Sequence, residues 1–265
     1  MMMTIPDKAL LDGDLMAYKA ACFADKEGID ELEDRLRFDV ELWTPAETTA
    51  TIAFSCRRSD NYRRDFWPAY KAHRDGKPGP EALPRTIEMM KDMFPWTSRP
   101  RLEADDLMGM VMGHGTHIAV TLDKDLRTCP GWLWNPEKQG FPELISEEEA
   151  DQHFFKQWLT GDSTDGIPGL HRMGPKTAER LLLETPRENW VQMVQDQYAK
   201  TADDYTKWQD KGERFEGTRS EMLEKRYGWT QGQDPEFCLA QARCVRILRS
   251  GEYDSDSGQP ILWTP

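Results

Sequence analysis

Aspartates follow two apolar stretches of this sequence, and their positions could support metal-assisted chemistry. Asp12 ends the stretch KALLD, and Asp123 and Asp125 come after the apolar residues of THIAVTL. If the two stretches are parallel strands, their carboxyl ends lie at one edge of a sheet, where open α/β sheets bind their ligands. Oxygen ligands at such an edge suit Mg²⁺ or Mn²⁺ better than zinc. Asp12 could instead cap a turn or a helix, with Asp14 as a second ligand or as the cap.

A second pair of aspartates, Asp162 and Asp165, precedes a turn that is rich in glycine and proline. Pro175 then opens a run with helical spacing, because proline is preorganised for the first position of a helix. Arg172 and Lys176 flank this turn, so backbone amides at the helix start would meet an anion such as a phosphate. An ordinary helix-loop-helix is the alternative. The aspartates argue against it, because two carboxylates beside a phosphate site make sense mainly with a metal ion between them.

The distribution of charge predicts a nucleic-acid-binding face in a protein that is acidic overall. The net charge of −13 argues against such a partner at first sight, because phosphate contacts need cations. Residues 57–101, however, contain eleven Lys or Arg and six Asp or Glu, a net +5 that leaves −18 for the rest. Within this block, residues 61–80 mix cations with aromatic side chains, as expected where a single strand is gripped. The alternative is the solvated face of an amphipathic helix.

Composition sets the class of protein. The 265 residues, 38% of them hydrophobic, suffice for one substantial core or for a core with a helical subdomain. No apolar run approaches membrane-spanning length and no signal peptide is recognisable, so we expect a cytoplasmic protein. The odd number of cysteines, five, without a C-x-x-C pair argues against a disulfide framework or a zinc site.

Hydrophobic periodicity predicts the elements that must position these residues. Apolar runs bounded by turn residues indicate strands, and apolar residues three and four apart indicate helices. Ser146 and Glu149 form a capping box that opens one of the helices. The predicted strands are 8–12, 49–56 and 118–122, and the predicted helices are 15–24, 82–94, 103–114, 146–159, 186–199 and 235–249.

Three motifs resemble those of a known family. The segment GDSTDGIPG followed by GPKTAERLL is similar to the helix-three-turn-helix signature of the structure-specific 5′ nucleases. These are the flap endonucleases, the 5′ nuclease domain of bacterial DNA polymerase I and the bacteriophage 5′-3′ exonucleases. DGDLMAYK fits the family pattern near the N-terminus with Met16 in a leucine position, and EADD (103–106) matches a further motif. The resemblance runs in family order from residue 8 to about 182 and is nearest to the bacteriophage exonucleases.

The resemblance implies an α/β protein with the PIN-like 5′ nuclease fold, in which helices flank a mostly parallel central sheet. It implies a catalytic core over residues 1–159 that includes a helical arch at about 57–82. A helical region over 160–250 then opens with the helix-three-turn-helix at 160–183. We expect the tail, residues 251–265, to be loosely ordered.

The resemblance also assigns roles to residues of these motifs. Cations of the arch act in catalysis, residues of the arch and of the helix-three-turn-helix bind DNA, and the carboxylates hold metal ions. Glu103 and Asp106 should share a helix face while Asp105 points elsewhere, although acidic residues also favour a helix start through its dipole. The catalytic cations are Lys71, Arg74 and Arg63; the DNA-binding residues are Tyr62, Arg64, Tyr70, Gly169, Arg172, Gly174, Lys176 and Thr177; the metal ligands are Asp12, Glu103, Asp105, Asp106, Asp123, Asp125, Asp162 and Asp165.

The chemistry expected from these carboxylates is hydrolysis of a phosphodiester bond. Two unit charges 4 Å apart repel by about 4 kcal/mol at an effective dielectric constant of 20, so such a cluster needs divalent cations. Two ions about 3.5 to 4 Å apart would lower the pKa of a bound water and stabilise an in-line displacement at phosphorus. The resemblance implies Mg²⁺- or Mn²⁺-dependent cleavage of DNA at 5′ ends and flaps, by a monomer. It also implies K⁺ at the helix-three-turn-helix, and RNA in a hybrid is a further possible substrate.

Two other functions are compatible with parts of the sequence. Asp12-x-Asp14 and Gly161-Asp162-x-x-Asp165 faintly imitate motifs of phosphatases of the haloacid dehalogenase type. That class explains neither the cationic block nor GPKTAERLL. The second alternative is a catalytically silent DNA-binding protein of the same fold, against which the complete set of carboxylates argues.

Overall fold

The computed structural model describes residues 4–200, 205–210, 213–227 and 235–265, which form two compact units. Unit 1 comprises the residues up to Tyr62 together with Gly76–Asp151 and Ile247–Ile261. Unit 2 comprises Arg63–Asp75, Gln152–Arg246 and Leu262–Pro265. Part of the segment for which an arch was expected therefore belongs to unit 2.

The apolar strand β1 (Lys8–Asp12) lies inside a six-stranded sheet in unit 1. The other strands are β2 (Thr49–Ala53), β3 (Trp96–Thr97), β4 (Ile118–Val120), β5 (Gly131–Trp134) and β6 (Glu143–Ile145). The strand order is β3-β2-β1-β4-β5-β6, in which β5 and β6 pair antiparallel and the other neighbours pair parallel. A mostly parallel α/β sheet was predicted, and it is confirmed.

The register of the central strands brings the predicted strand ends together. Asp12 is opposite Ala53 on β2, and its neighbour Leu11 is opposite Val120 on β4. The carboxyl ends of the three strands therefore lie at one edge of the sheet. The expectation that the aspartate-bearing strand ends meet is confirmed.

Helices cover the sheet of unit 1, and the sequence fixes where the first of them begins. Gly13 follows β1 directly, and a Cβ at this position would lie 2.5 Å from the carbonyl oxygen of Ala53. Only glycine therefore allows the helix to start so close to β2. Buried methionines such as Met16 and Met90 contribute to the apolar core of this unit. The helices are α1 (Gly13–Glu27), α2 (Leu32–Trp43), α4 (Leu83–Met93) and α5 (Ala104–Gly113).

Aromatic side chains form the core of unit 2. The indole of Trp158 donates to the carbonyl oxygen of Cys238 at 2.9 Å, and the hydroxyl of Tyr198 donates to that of Trp158 at 2.7 Å. These bonds satisfy the polar atoms that aromatic residues bring into a core. The helices are α3 (Arg63–Phe66), α6 (Glu147–Thr160), which begins in unit 1, α7 (Pro175–Glu184), α8 (Trp190–Lys200), α9 (Arg219–Tyr227) and α10 (Pro235–Val245).

Several local expectations need correction. The cationic segment forms α3 and two short 3-10 helices, Arg58–Asp60 and Ala72–Arg74, rather than one amphipathic helix. A hairpin of β7 (Tyr205–Asp210) and β8 (Glu213–Thr218) was not predicted.

The tail is ordered, contrary to expectation. Strands β9 (Tyr253–Asp254) and β10 (Gln259–Pro260) pair within it, and the ring of Trp263 lies against Phe154 and Trp158. Trp263 is only partly buried, but its ring contacts hold the end of the chain against the core of unit 2. None of the helices in the described part of the chain is both long and apolar enough to cross a membrane.

Candidate metal site and nucleic-acid interface

Asp12 anchors the group of carboxylates at the sheet edge of unit 1. Its side chain caps α1, because Oδ1 accepts from the backbone N–H of Leu15 at 3.0 Å. Its Oδ2 accepts from the hydroxyl of Thr121 at 2.7 Å. That hydroxyl in turn accepts from the N–H of Asp123 at 3.0 Å. The cap that the sequence offered as an alternative is present, and it leaves Asp12 tied to the residues that follow β4.

The electrostatic environment of Asp12 favours a cation. Burial raises the pKa of Asp12 to about 6, and the nearby carboxylates of Asp14 and Asp123 contribute to the increase. The hydrogen bonds from Thr121 and Leu15 act in the opposite direction. A positive charge at this edge would relieve the repulsion between the carboxylates.

The three acidic residues at the start of α5 have different surroundings. Asp106 is fully buried, and its Oδ2 accepts from the N–H of Glu103 at 3.1 Å while Oδ1 accepts from that of Leu248 at 3.2 Å. Glu103 and Asp105 are partly exposed. Glu103 and Asp106 do lie together, as their spacing predicted, but Asp106 faces the interior. These bonds give Asp106 a structural task that the sequence analysis missed, and its role as a ligand stays a prediction.

Asp123 and Asp125 lie where β4 leads into a 3-10 helix, Lys124–Thr128. Asp123 is exposed and caps this helix, because its Oδ1 accepts from the N–H of Asp125 at 2.8 Å. Capping explains the order of this loop, and it keeps the Asp123 carboxylate at the same sheet edge as Asp12.

The sheet edge offers negative charge and oxygen donors rather than a complete set of metal ligands. Within the described residues, no three His, Cys, Asp or Glu side chains are grouped so that they could hold a metal ion. Mg²⁺ usually keeps several of its waters and binds through one or two carboxylates. Carboxylate oxygens such as those of Asp12 and Asp123 suit Mg²⁺ or Mn²⁺, and their role as ligands stays a prediction.

In unit 2 two of the three predicted catalytic cations, Lys71 and Arg74, lie beside Asp165. The ammonium of Lys71 lies 3.6 Å from Oδ2 of Asp165, and the guanidinium of Arg74 lies 3.6 Å from Oδ1. The hydroxyl of Tyr70 donates to Oδ2 at 3.1 Å. Asp162 orders the same turn, because its Oδ1 accepts from the N–H of Thr164 at 2.7 Å. The structure thus brings Lys71, Arg74 and Asp165 together, as an ion-paired cluster.

The backbone of Lys71 is unusual for a residue with a side chain. Its φ of 51° lies in the left-handed region, and its N–H donates to the carbonyl oxygen of Asp165 at 2.9 Å. Its ammonium lies 4.9 Å from the centre of the Tyr70 ring. Residues in this region are costly and concentrate at functional sites. Arg172, another predicted site residue, has a φ of 59°.

Other predicted residues of the arch are buried. Arg63 is only 2% exposed, and its guanidinium donates to the carbonyl oxygens of Cys244 at 3.0 Å and Arg246 at 2.7 Å. This placement argues against the catalytic role predicted for Arg63 and makes it a structural residue of unit 2. Tyr62 and Tyr70 are each 2% exposed, which argues against stacking of either ring on a base. Sequence alone missed this, because a cation among aromatics looks the same on a surface and in a core.

Arg64 and Gly169 are also engaged within the protein. Arg64 forms an ion pair with Asp75 and donates to the carbonyl oxygen of Tyr70 at 3.3 Å. The N–H of Gly169 donates to the side-chain oxygen of Gln241 at 2.7 Å, so this amide is already engaged within the protein. Gln241 belongs to none of the sequence motifs, so its hydrogen bond with Gly169 could not be predicted.

The start of α7 presents the remaining predicted DNA contacts. Arg172, Lys176 and Thr177 are exposed there, and Gly174 is the N-cap residue. Pro175 occupies the first turn of the helix, as predicted. The exposed cations and the helix start could hold a phosphate of a DNA backbone.

Comparison with known proteins extends these observations. No family model matches the chain. The chain is 27% identical over 288 residues to an exodeoxyribonuclease of Enterobacteria phage T3, which covers 98% of this chain and 94% of the relative. It is 26% identical over 292 residues to an exonuclease of Escherichia phage T7, with the same coverage. A thermostable DNA polymerase I of Thermus aquaticus is 31% identical over 162 residues, which are 51% of this chain and 18% of the polymerase.

Solved structures agree on the fold. A structure of T5 5′-exonuclease with zinc bound has a TM-score of 0.50 at 16% identity and covers 71% of this chain and 83% of that one. The catalytic core of Rad2 with a DNA substrate also has a TM-score of 0.50, at 13% identity, over 75% of this chain and 67% of that one. The parallel sheet with carboxylates at its edge thus defines an α/β protein with the 5′ nuclease fold. With the nearly full-length similarity to the phage exonucleases, the chain resembles the structure-specific 5′ nucleases and is a nuclease.

Proposed function

We propose that the protein is a Mg²⁺-dependent 5′-3′ exodeoxyribonuclease that also cleaves 5′ flaps. The main support is the meeting of Asp12 and Asp123 at one sheet edge, in a chain similar to two phage exonucleases over 98% of its length. The zinc ions in the T5 5′-exonuclease structure and the DNA substrate bound to Rad2 support a divalent cation and a DNA partner here. The proposed location is the cytoplasm, as expected from the sequence.

In this proposal each group of residues has a separate task. Asp12, Asp123 and the carboxylates near them would hold the metal ions, which would supply an activated water and stabilise charge on the phosphate oxygens. Lys71 and Arg74 meet the scissile phosphate and the 5′ strand. Their charges favour the transition state, in which negative charge develops on the phosphoryl oxygens. The exposed cations at the start of α7 bind the duplex backbone without reading its sequence.

The proposal includes three finer expectations from the sequence. A K⁺ ion binds backbone carbonyls of the helix-three-turn-helix, the RNA strand of a hybrid is an additional substrate, and the protein acts as a monomer. A catalytically silent DNA-binding protein is the alternative. The phosphatase alternative loses support, because the full-length relatives are exonucleases.

One digestion experiment tests the proposal. Duplex, nicked and flapped DNA, labelled at either the 5′ or the 3′ end, are incubated with the protein in Mg²⁺ and in EDTA. We expect short labelled products when the 5′ end carries the label and shortened labelled strands when the 3′ end carries it. Both should appear in Mg²⁺ and neither in EDTA. Asp123→Asn is the control for a contaminating nuclease. Flap binding without cleavage in Mg²⁺ would establish the silent alternative.

A further inference from the structure

Two hydroxyl side chains flank the β1–α1 turn. Ser55 lies just beyond β2 and Thr121 just beyond β4, and these are the two strands that pair with β1. Each hydroxyl contacts one aspartate of the turn. Thr121 Oγ1 donates to Asp12 at 2.7 Å, and Ser55 Oγ forms a short hydrogen bond with Asp14.

Each hydroxyl oxygen also accepts a hydrogen bond from a backbone N–H in a segment that carries predicted metal ligands. Ser55 Oγ accepts from the N–H of Ala104 at 2.9 Å, and Ala104 lies between Glu103 and Asp105. Thr121 Oγ1 accepts from the N–H of Asp123 at 3.0 Å. The two sides of β1 therefore have the same arrangement: carboxylate, hydroxyl, then backbone N–H.

The chemistry of these groups fixes the direction of every bond. An ionised carboxylate only accepts and a backbone N–H only donates, so the hydroxyl between them must donate to the first and accept from the second. A hydroxyl has one proton and two lone pairs, which makes both bonds possible at once. Alanine or valine at either position would lose both bonds. Ser55 also donates its own N–H to Asp14 at 3.2 Å, a bond that does not depend on its side chain.

We propose that Ser55 and Thr121 are positioning residues of the metal site. Each sets the distance between a carboxylate of the β1–α1 turn and the segment that carries the other ligands, Glu103 and Asp105 on one side and Asp123 on the other. The carboxylates of this edge repel one another, so without the hydroxyls they would separate and bind an ion less tightly. This inference rests on the proposed function.

The test measures the affinity of the full chain for Mn²⁺ in the absence of DNA, by electron paramagnetic resonance and by titration calorimetry. Ser55→Ala and Thr121→Val remove the hydroxyls, whereas Ser55→Thr and Thr121→Ser keep them. Loss of a group that orients a metal ligand typically weakens metal binding by about 10- to 100-fold. We expect a loss of that size in the first pair and near wild-type affinity in the second.

Thr86→Val is the matched control. The hydroxyl of Thr86 is fully buried in α4 and donates to the carbonyl oxygen of Ala82 at 2.9 Å, a bond that involves none of the predicted metal ligands. This variant should lower the melting temperature and leave Mn²⁺ affinity unchanged. Ser55→Cys, which keeps the size and weakens the hydrogen bonds, should have intermediate affinity and serves if Ser55→Ala does not fold.

The possible outcomes separate this inference from the proposed function. If Ser55→Ala, Ser55→Cys and Thr121→Val all bind Mn²⁺ like the wild type, the hydroxyls are merely structural and the inference is wrong. If the wild type binds no Mn²⁺ at millimolar concentration, the proposed metal-dependent function fails, and the inference fails with it. If the wild type binds Mn²⁺ and only the variants that lose or weaken the hydroxyl bind it less tightly, the result supports both the inference and the proposed metal-dependent function.

Discussion

The ammonium of Lys71 lies 3.6 Å from a carboxylate oxygen of Asp165, although sequence reasoning expected the first to meet a phosphate and the second a metal ion. Arg74 lies at the same distance from the other oxygen of Asp165. A phosphate that approaches Lys71 thus meets a cation whose field is partly neutralised. A divalent ion near Asp165 would compete with both cations. A divalent ion at Asp165 would therefore change the charge that Lys71 and Arg74 present to a phosphate.

The first prediction concerns the stability of this cluster. Asp165→Asn should lower the free energy of unfolding by about 1 kcal/mol, because the ion pairs are partly exposed to solvent. Tyr70→Phe should cost about 1 kcal/mol through its lost hydrogen bond. The double variant should lose less than the sum, because Asp165→Asn removes the charge that strengthens the hydrogen bond lost in Tyr70→Phe. Denaturant unfolding measures these values, with Asp196→Asn on the exposed face of α8 as the control. Strictly additive losses would contradict the described contact.

The second prediction separates Lys71 from Lys176. Lys71→Ala should lower single-turnover cleavage far more than it weakens DNA binding, because a cation aimed at developing phosphoryl charge acts in the transition state. Lys176→Ala should weaken duplex binding, reduce its log-log salt dependence by about one unit, and recover cleavage at saturating enzyme. Binding titrations at several salt concentrations and single-turnover digestion measure both. Equal losses of affinity alone in both variants would refute the division of tasks.

Periodicity and turn chemistry were sufficient to predict the parts of the fold that depend on local sequence. The strand ending at Asp12 and the helix opened by Pro175 have clear signals, since apolar runs and a proline at a helix start act within a few residues. Two apolar stretches that are each followed by aspartate predicted that the carboxyl ends of two parallel strands meet at one edge of the sheet. These features position the sheet-edge group of the candidate site.

Other features depend on contacts between residues far apart in the chain. The guanidinium of Arg63 reaches carbonyl oxygens near residue 245, and Asp106 accepts from the N–H of Leu248. The sequence around Arg63 and around Asp106 does not indicate such distant partners. The order of the tail likewise depends on Trp263 packing against aromatic rings of α6. Local sequence therefore indicates which residues could act, and tertiary packing decides which of them face the site.

The third prediction tests the close approach at the start of α1. Gly13→Ala places a Cβ 2.5 Å from the carbonyl oxygen of Ala53, so β2 and the turn must move apart. We expect a loss of about 1 to 3 kcal/mol in the free energy of unfolding, together with weaker Mn²⁺ binding because Asp12 moves with the turn. Gly140→Ala is the control, since its Cβ would meet nothing within 4 Å. Wild-type stability in Gly13→Ala would contradict the described packing.

The fourth prediction distinguishes a predicted ligand from a structural carboxylate. A metal ion that binds only the folded state stabilises it by about 2.7 kcal/mol at a hundredfold excess over its Kd. Mg²⁺ should therefore raise the melting temperature of the wild type. Asp123→Asn should abolish cleavage and reduce this increase, while stability without metal stays near that of the wild type, because asparagine can still cap the following helix.

Asp106→Asn should behave in the opposite way. Its amide group replaces one of the two oxygens that accept backbone N–H groups, and a buried donor left unpaired costs about 1 to 3 kcal/mol. We expect a lower melting temperature without metal and an increase with Mg²⁺ that is close to that of the wild type. Thermal melts of both variants, with and without Mg²⁺, supply the comparison. If Asp106→Asn melted like the wild type but lost the Mg²⁺ effect, Asp106 would be a ligand and its structural task would be the wrong assignment.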